Sequence, residues 1–270
     1  MVRKLLVGIL VVLLVLLGIS LFGFLSHKPE EEVNEPELTE VEPEVEIVEP
    51  TESPEVIEEI PEPEPEPTID PSVFTDTDSL LVVANKKHKL PDGYVPADLV
   101  QPDIAATAYC TMREPAAVAI AEMASAAAEE GVYLKISSAY RGEDYQRSLY
   151  NGYSASYGSE TADTISSRPG YSDHQTGLAA DFVEGDGSLN GINFNQSFED
   201  TASGNWLREH AHEYGFIMRY PKGKQDITGY AYEPWHFRYV GVDYATAIYE
   251  EDVFMTFEEY FGVEGGDYAE

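Results

Sequence analysis

Cys110 is the one cysteine among the 270 residues. A lone thiol forms no internal disulfide, so any domain here relies on its apolar core for stability. Cys110 lies between Tyr109 and Thr111 with no His beside it, which argues against a catalytic thiol. Positive charge is equally scarce: 16 Lys and Arg stand against 50 Asp and Glu, a formal net charge of −34. That balance excludes nucleic acid as a partner, because there is no basic surface to meet phosphates. Helices and strands interleave without a clean βαβ alternation, and no internal repeat appears outside one Glu/Pro-rich stretch, which excludes a solenoid or a doubly wound parallel sheet.

What is present begins with an address. Met1-Val2-Arg3-Lys4 precedes an apolar run from Leu5 to Leu25. At ~1.5 Å per residue such a run spans ~30 Å, the thickness of a bilayer core. The basic pair before it predicts a cytoplasmic N-terminus and an extracytoplasmic remainder. A cleaved signal peptide is the alternative. The run is longer than the ~7–15 residues of a signal core, and no Ala-x-Ala-like site or lipid-accepting Cys lies near Leu25. Residues 1–28 are therefore expected to be a transmembrane anchor at the cell membrane, crossing once.

Residues 29–72 cannot fold alone. Between Glu30 and Asp70 there are 18 acidic residues and no Lys or Arg, with Pro61, Pro63, Pro65 and Pro67 closing the stretch. Charge repulsion and low hydrophobicity leave too little burial to offset chain entropy, so a disordered spacer is expected. It explains much of the acidity, although the chain from Pro71 onward still carries 32 acidic against 13 basic residues. Residues 73–262 form one domain of ordinary size, expected to be monomeric, and residues 263–270 an acidic, frayed tail.

Within that domain, Leu80–Ala84, Val132–Ile136, Leu178–Val183, Phe216–Tyr220 and Trp235–Val240 are apolar runs with strand character. Pro115–Glu130 opens on Pro and closes before Gly131, a helix signature. Glu143–Tyr157, Asn205–Tyr214 and Tyr244–Glu250 are also expected as helices. The class is α+β, with a central antiparallel sheet flanked by helices. Lys86, Lys87 and Lys89 around His88 suggest a solvated basic turn.

Two segments carry chemistry: Ser172-Asp173-His174-Gln175-Thr176-Gly177-Leu178-Ala179-Ala180-Asp181 and Glu233-Pro234-Trp235-His236. Gly177 permits a turn between His174 and Asp181, so both can converge on one point. Glu233 and His236 are joined by a stiff Pro234. Two imidazoles, one carboxylate and a second carboxylate beside them match a catalytic zinc site, with three protein ligands, an open position for water and a general base. Taken singly, each His could be a hydrogen-bonded core residue and Asp181 a turn or cap residue. His210 and His212 are two apart in a helical run and do not face one another, so they are expected to pack rather than bind metal.

The pattern Ser172-x-His174-x-x-Gly177-x-Ala179-x-Asp181 with Glu233-x-x-His236 resembles the signature of the VanY-type D-alanyl-D-alanine carboxypeptidases. These are zinc D,D-peptidases related to D-Ala-D-Ala dipeptidases and phage endolysins, and the hedgehog signalling domain shares the wider fold. The resemblance extends through Ser138-Ala139-Tyr140-Arg141, Gln146 and residues 227–241, and spans Asn85–Gly262. It implies Zn²⁺ held by His174, Asp181 and His236, Glu233 as catalytic base, and Arg141 holding the oxyanion or a substrate carbonyl or carboxylate. It implies that Gln146, Ser172 and Trp235 bind substrate. The expected substrate is a peptidoglycan stem peptide whose C-terminal D-alanine is removed. An L,D-carboxypeptidase trimming tetrapeptide stems, a cross-link endopeptidase and a non-catalytic wall-binding module remain alternatives.

Overall fold

The computed structural model describes residues 69–184 and 194–268. Every described residue lies in one compact unit. The expected anchor, and the linker as far as residue 68, lie outside the described residues. Among the described residues, no helix is long and apolar enough to cross a membrane.

A five-stranded sheet organises the domain. Its strands are β2 (Ala105–Ala106), β4 (Leu134–Ser138), β5 (Ala179–Glu184), β7 (His236–Tyr239) and β6 (Phe216–Met218), in the spatial order β2-β4-β5-β7-β6. The β4–β5, β5–β7 and β6–β7 pairs are antiparallel, but β2 runs parallel to β4. The sheet is therefore mixed at one edge rather than antiparallel throughout. A separate two-stranded antiparallel pair joins β1 (Leu99–Val100) to β3 (Met112–Arg113).

Helix α1 (Glu114–Glu129) carries Pro115 in its first turn, and Gly131 follows its end with φ +81°. Its buried stripe of Ala116, Ile120, Met123 and Ala127 has the spacing of one helix face. That face packs with Phe182, Trp206, Leu207, Phe216 and Phe237 in the larger core. A smaller core gathers Leu81, Val83, Ile217, Val240, Ile248 and Phe257. Strand β6 divides between the two: Phe216 and Met218 join the first core and Ile217 the second. Alternation across a strand buried on both faces produces this split.

The remaining helices are α2 (Glu143–Tyr157), α3 (Ser159–Ile165), α4 (Ala202–His210), α5 (Gln225–Thr228), α6 (Val242–Glu251) and α7 (Phe257–Phe261). Helix α4 starts three residues before the expected Asn205 because the Thr201 hydroxyl caps it, accepting from the Gly204 N–H at 3.0 Å. Its continuation, Ala211–Tyr214, tightens to a 3-10 turn before Gly215.

Three expectations are corrected by long-range contacts. Leu80–Ala84 forms no strand: Leu80 and Leu81 lie in a turn, the Leu80 and Val82 carbonyls accept from the Arg238 guanidinium, and the Val83 N–H donates to Phe74 O. Lys86 is buried rather than solvated, with Nζ donating to Gly229 O at 2.5 Å and facing Asp267 Oδ1 at 3.1 Å. The tail is held as far as Tyr268, whose hydroxyl accepts from the Arg168 N–H at 2.7 Å and whose ring lies 4.0 Å below the Arg168 guanidinium.

Candidate metal centre

Neighbouring strands place two of the three candidate ligands. Asp181 on β5 and His236 on β7 are direct cross-strand partners, so their side chains rise from the same face of the sheet. His174 arrives on a 3-10 turn, Asp173–Thr176, which closes at Gly177 with φ +72°. A left-handed residue is required there to turn the chain into β5. A Cβ on Gly177 would also meet Arg113 Cγ at 3.0 Å and Leu99 Cδ2 at 3.1 Å. Glycine is therefore demanded by both backbone and packing.

The ligand atoms of His174, Asp181 and His236 lie within 4.8 Å of one another, and all three residues are buried. His174 Nε2 stands 3.1 Å from Asp181 Oδ2, and His236 Nδ1 3.2 Å from Asp181 Oδ1. Each ring spends its other nitrogen elsewhere. His174 Nδ1 donates to the Ala139 carbonyl at 2.7 Å, while His236 Nε2 donates to Asp173 Oδ2 at 3.3 Å. His174 Nε2 and Asp181 Oδ1 are buried without a hydrogen-bond partner. Orphaned polar atoms facing one point are costly unless something satisfies them. Two neutral imidazole nitrogens and one carboxylate, each imidazole oriented by a second acceptor, fit Zn²⁺.

The local charges agree. Burial would raise the Asp181 carboxyl, but the adjacent His174 and His236 outweigh it and hold its pKa well below the usual carboxylate range. Burial opposes charge on His236, yet the surrounding carboxylates of Asp173, Asp181 and Glu233 push its pKa well above the ordinary imidazole value. Surroundings that draw a proton onto His236 draw a divalent cation for the same reason. For His174, burial dominates and, with the Arg141 charge, lowers the pKa, favouring the neutral form that a metal needs.

Glu233 reaches the site through a tight turn. The His236 N–H donates to Glu233 O at 3.1 Å, closing Glu233-Pro234-Trp235-His236. This brings Glu233 Oε2 to 3.4 Å from His236 Nδ1. Burial raises the Glu233 pKa, against the lowering effect of His236.

A cavity of about 630 Å³ opens over this cluster, lined among others by Arg141, Ser172, Glu233, Trp235 and Tyr153. Arg141 is fixed by its backbone, whose N–H donates to His174 O at 3.2 Å, and its Nε is buried with no hydrogen-bond partner. Ser172 is buried on the cavity wall, and the Trp235 ring packs 5.7 Å from Phe194. Gln146 is buried with Nε2 donating to Ser166 Oγ at 3.1 Å and Ser167 O at 2.7 Å. Ser166 and Ser167 line the cavity, whereas Gln146, expected to bind substrate, stands behind them and is not among the lining residues. A larger, more open groove of about 850 Å³ lies around Tyr94, Tyr145 and Tyr171, but the metal-ligating cluster is not in it. Size does not select the site here; chemistry does.

Sequence reasoning passed over Asp173, Arg238 and Tyr220. The Tyr220 ring packs 4.8 Å from the His236 ring and lines the cavity. Arg238 was recoverable in principle, since it lies two residues after His236 on one strand and shares its face. Of the other histidines, His210 Nδ1 meets Glu213 Oε1 at 3.0 Å and His212 stacks on Tyr249 at 3.7 Å, so the pair does pack rather than converge. His88 Nδ1 is 2.9 Å from Asn85 Oδ1 within its own turn.

Comparison with known proteins places these features in a family. Residues 110–242 match the family model VanY, D-alanyl-D-alanine carboxypeptidase. The Bacillus subtilis protein YodJ is 41% identical over 189 residues, covering 68% of this chain and 67% of that protein. Among solved structures, the LdcB LD-carboxypeptidase aligns with a TM-score of 0.64 at 40% identity, over 70% of this chain and 88% of that one. The vancomycin-resistance D,D-pentapeptidase VanY from the VanB-type cassette, solved as a mutant with Zn(II), aligns with a TM-score of 0.56 at 30% identity, over 66% of this chain and 97% of that one. With its metal triad, its mixed α+β fold and these relatives, the chain belongs to the VanY family of D-alanyl-D-alanine carboxypeptidases and is a zinc metallopeptidase.

Proposed function

We propose that this protein removes the C-terminal D-alanine from peptidoglycan stem peptides. One observation carries the reading: the three candidate ligands, Glu233 and Arg141 all open onto a single cavity. Bound Zn²⁺ would supply Lewis-acid polarisation of the scissile carbonyl and would lower the pKa of water. Glu233 accepts the proton of the attacking water and returns it to the leaving amine as the C–N bond breaks. Its burial-raised pKa suits a group that must both take and release that proton. The Arg141 guanidinium, permanently charged and on the cavity wall, holds the carbonyl oxygen or the terminal carboxylate. Ser172 offers a polar wall, Trp235 an apolar one, and Gln146 braces Ser166 and Ser167.

Mass spectrometry of pentapeptide stems incubated with the purified protein is expected to show loss of one D-Ala. The loss should stop with a chelator and return with Zn²⁺. Release that ignores chelation, or no release by zinc-loaded protein, would overturn the reading. A second reading, trimming of tetrapeptide stems, is favoured by the 40% identity to the LdcB LD-carboxypeptidase. Tetrapeptide run beside pentapeptide separates the two, and consumption of cross-linked dimers would instead mark an endopeptidase.

The domain is held outside the cell by the apolar run Leu5–Leu25, with Arg3 and Lys4 on the cytoplasmic side and the acidic stretch as spacer. Full-length protein is expected to stay in the membrane pellet after carbonate washing. Recovery in the soluble fraction would remove the anchor from this account.

A further inference from the structure

The zinc ligand His236 is oriented by a carboxylate that is itself fixed by a buried arginine. Asp173 sits on the same turn as His174, with its side chain almost wholly buried. Each of its oxygens has one partner: Oδ2 accepts from His236 Nε2 at 3.3 Å, and Oδ1 pairs with Arg238 Nη1. Arg238, equally buried, donates from Nη2 to Leu80 O at 3.0 Å and Val82 O at 2.7 Å, and from Nε to Tyr239 O at 3.0 Å. The series therefore runs from the backbone of residues 80–82 through Arg238 and Asp173 to His236, whose Nδ1 faces Asp181.

Chemistry gives this series a direction. An imidazole that binds metal through one nitrogen must carry its proton on the other, and an acceptor for that proton fixes both tautomer and ring orientation. A lone buried carboxylate would be costly in this position, and Arg238 supplies the compensating charge. The carbonyls that hold Arg238 belong to a segment with no sheet partner, so Leu80 O and Val82 O are spent on Arg238 and not on a strand.

We propose that Asp173, held by Arg238, is a positioning residue for the zinc centre: it keeps the His236 proton on Nε2 and leaves Nδ1 free for the metal. This rests on the metal reading of the cavity and not on which peptide is cut. It assigns opposite ring nitrogens to the two histidines, Nε2 for His174 and Nδ1 for His236.

Zinc affinity, measured by competition with a chromophoric chelator, tests it in wild type, Asp173→Asn and Asp173→Glu. Asp173→Asn, which leaves one acceptor oxygen for both His236 and Arg238, is expected to weaken zinc ~10–100-fold, while Asp173→Glu, which restores the charge and both acceptor oxygens, recovers part of that loss. Melting of the metal-free proteins separates a folding defect from a ligand defect. Affinity unchanged in a folded Asp173→Asn protein would overturn the proposal. Nitrogen-15 NMR of zinc-loaded wild type needs no variant: a His236 ring protonated at Nε2 and metal-bound at Nδ1 supports it, and the reverse assignment overturns it. Wild type that binds no zinc at all would instead remove the metal reading beneath it.

Discussion

Glu233→Gln is expected to lower D-Ala release by ~10²–10⁴-fold, the usual contribution of a positioned acid–base group, while zinc content stays that of wild type. The amide matches the carboxylate in shape but cannot take the proton of water. Glu233 is not one of the three converging ligands, so the metal keeps all three after the change. Steady-state kinetics on a pentapeptide stem, with zinc measured on the same sample, checks both halves. The fall should sit mainly in kcat, because the proton moves only as the reaction proceeds. Activity within a few-fold of wild type would remove Glu233 from the mechanism. Loss of zinc together with activity would make it a ligand instead.

Glu258→Ala is expected to destabilise the domain by ~3–5 kcal/mol, the range for stranding one member of a buried ion pair. Glu258, on α7, receives Arg219 Nη1 at 2.7 Å and Nη2 at 2.6 Å in a two-point pair, and also Asn85 Nδ2 at 2.9 Å. Both side chains are 2% exposed. Without Glu258 the Arg219 guanidinium keeps its burial and loses its counter-charge. For a domain of this size each kcal/mol lowers Tm by ~2–4 °C, so the loss should be plain in a thermal melt. The double change Arg219→Met with Glu258→Leu should recover much of it, since no charge is then left alone. A change below ~1 kcal/mol for Glu258→Ala would show the pair to be redundant. The site should feel this as well. Arg219 donates its N–H to His236 O at 3.1 Å, and its neighbour Tyr220 packs on the His236 ring.

Much of the centre was legible because its instructions are local. His174, Gly177 and Asp181 span a single turn and the strand it feeds, and Glu233 and His236 span one tight turn. Helix α2 occupies the expected Glu143–Tyr157, and α1 begins beside Pro115 and ends before Gly131, because caps and breakers act on their own neighbours. Leu80–Ala84 shows the limit of such reasoning. Its alternation was real, since Leu81 and Val83 enter one core and Val82 and Ala84 the other. A side chain more than 150 residues away took the carbonyls that a strand would have used. Lys86 and the residues up to Tyr268 were misjudged for a related reason. Charge and Gly content suggested solvent and fraying, but Gly229 O and the Arg168 N–H were waiting for them across the fold.

The sequence by itself therefore supplied the candidate ligand types and the short backbone turns that present them, since these depend on residue chemistry and short spacing, while the role expected of Glu233 came from the resemblance to the VanY-type signature. Only the tertiary structure decided that Asp181 and His236 face each other across β5 and β7, that Asp173 sits behind His236, and which cation compensates each buried carboxylate. Strand register and ion pairing are set by which distant surfaces are buried together, and no local window of the chain contains that information.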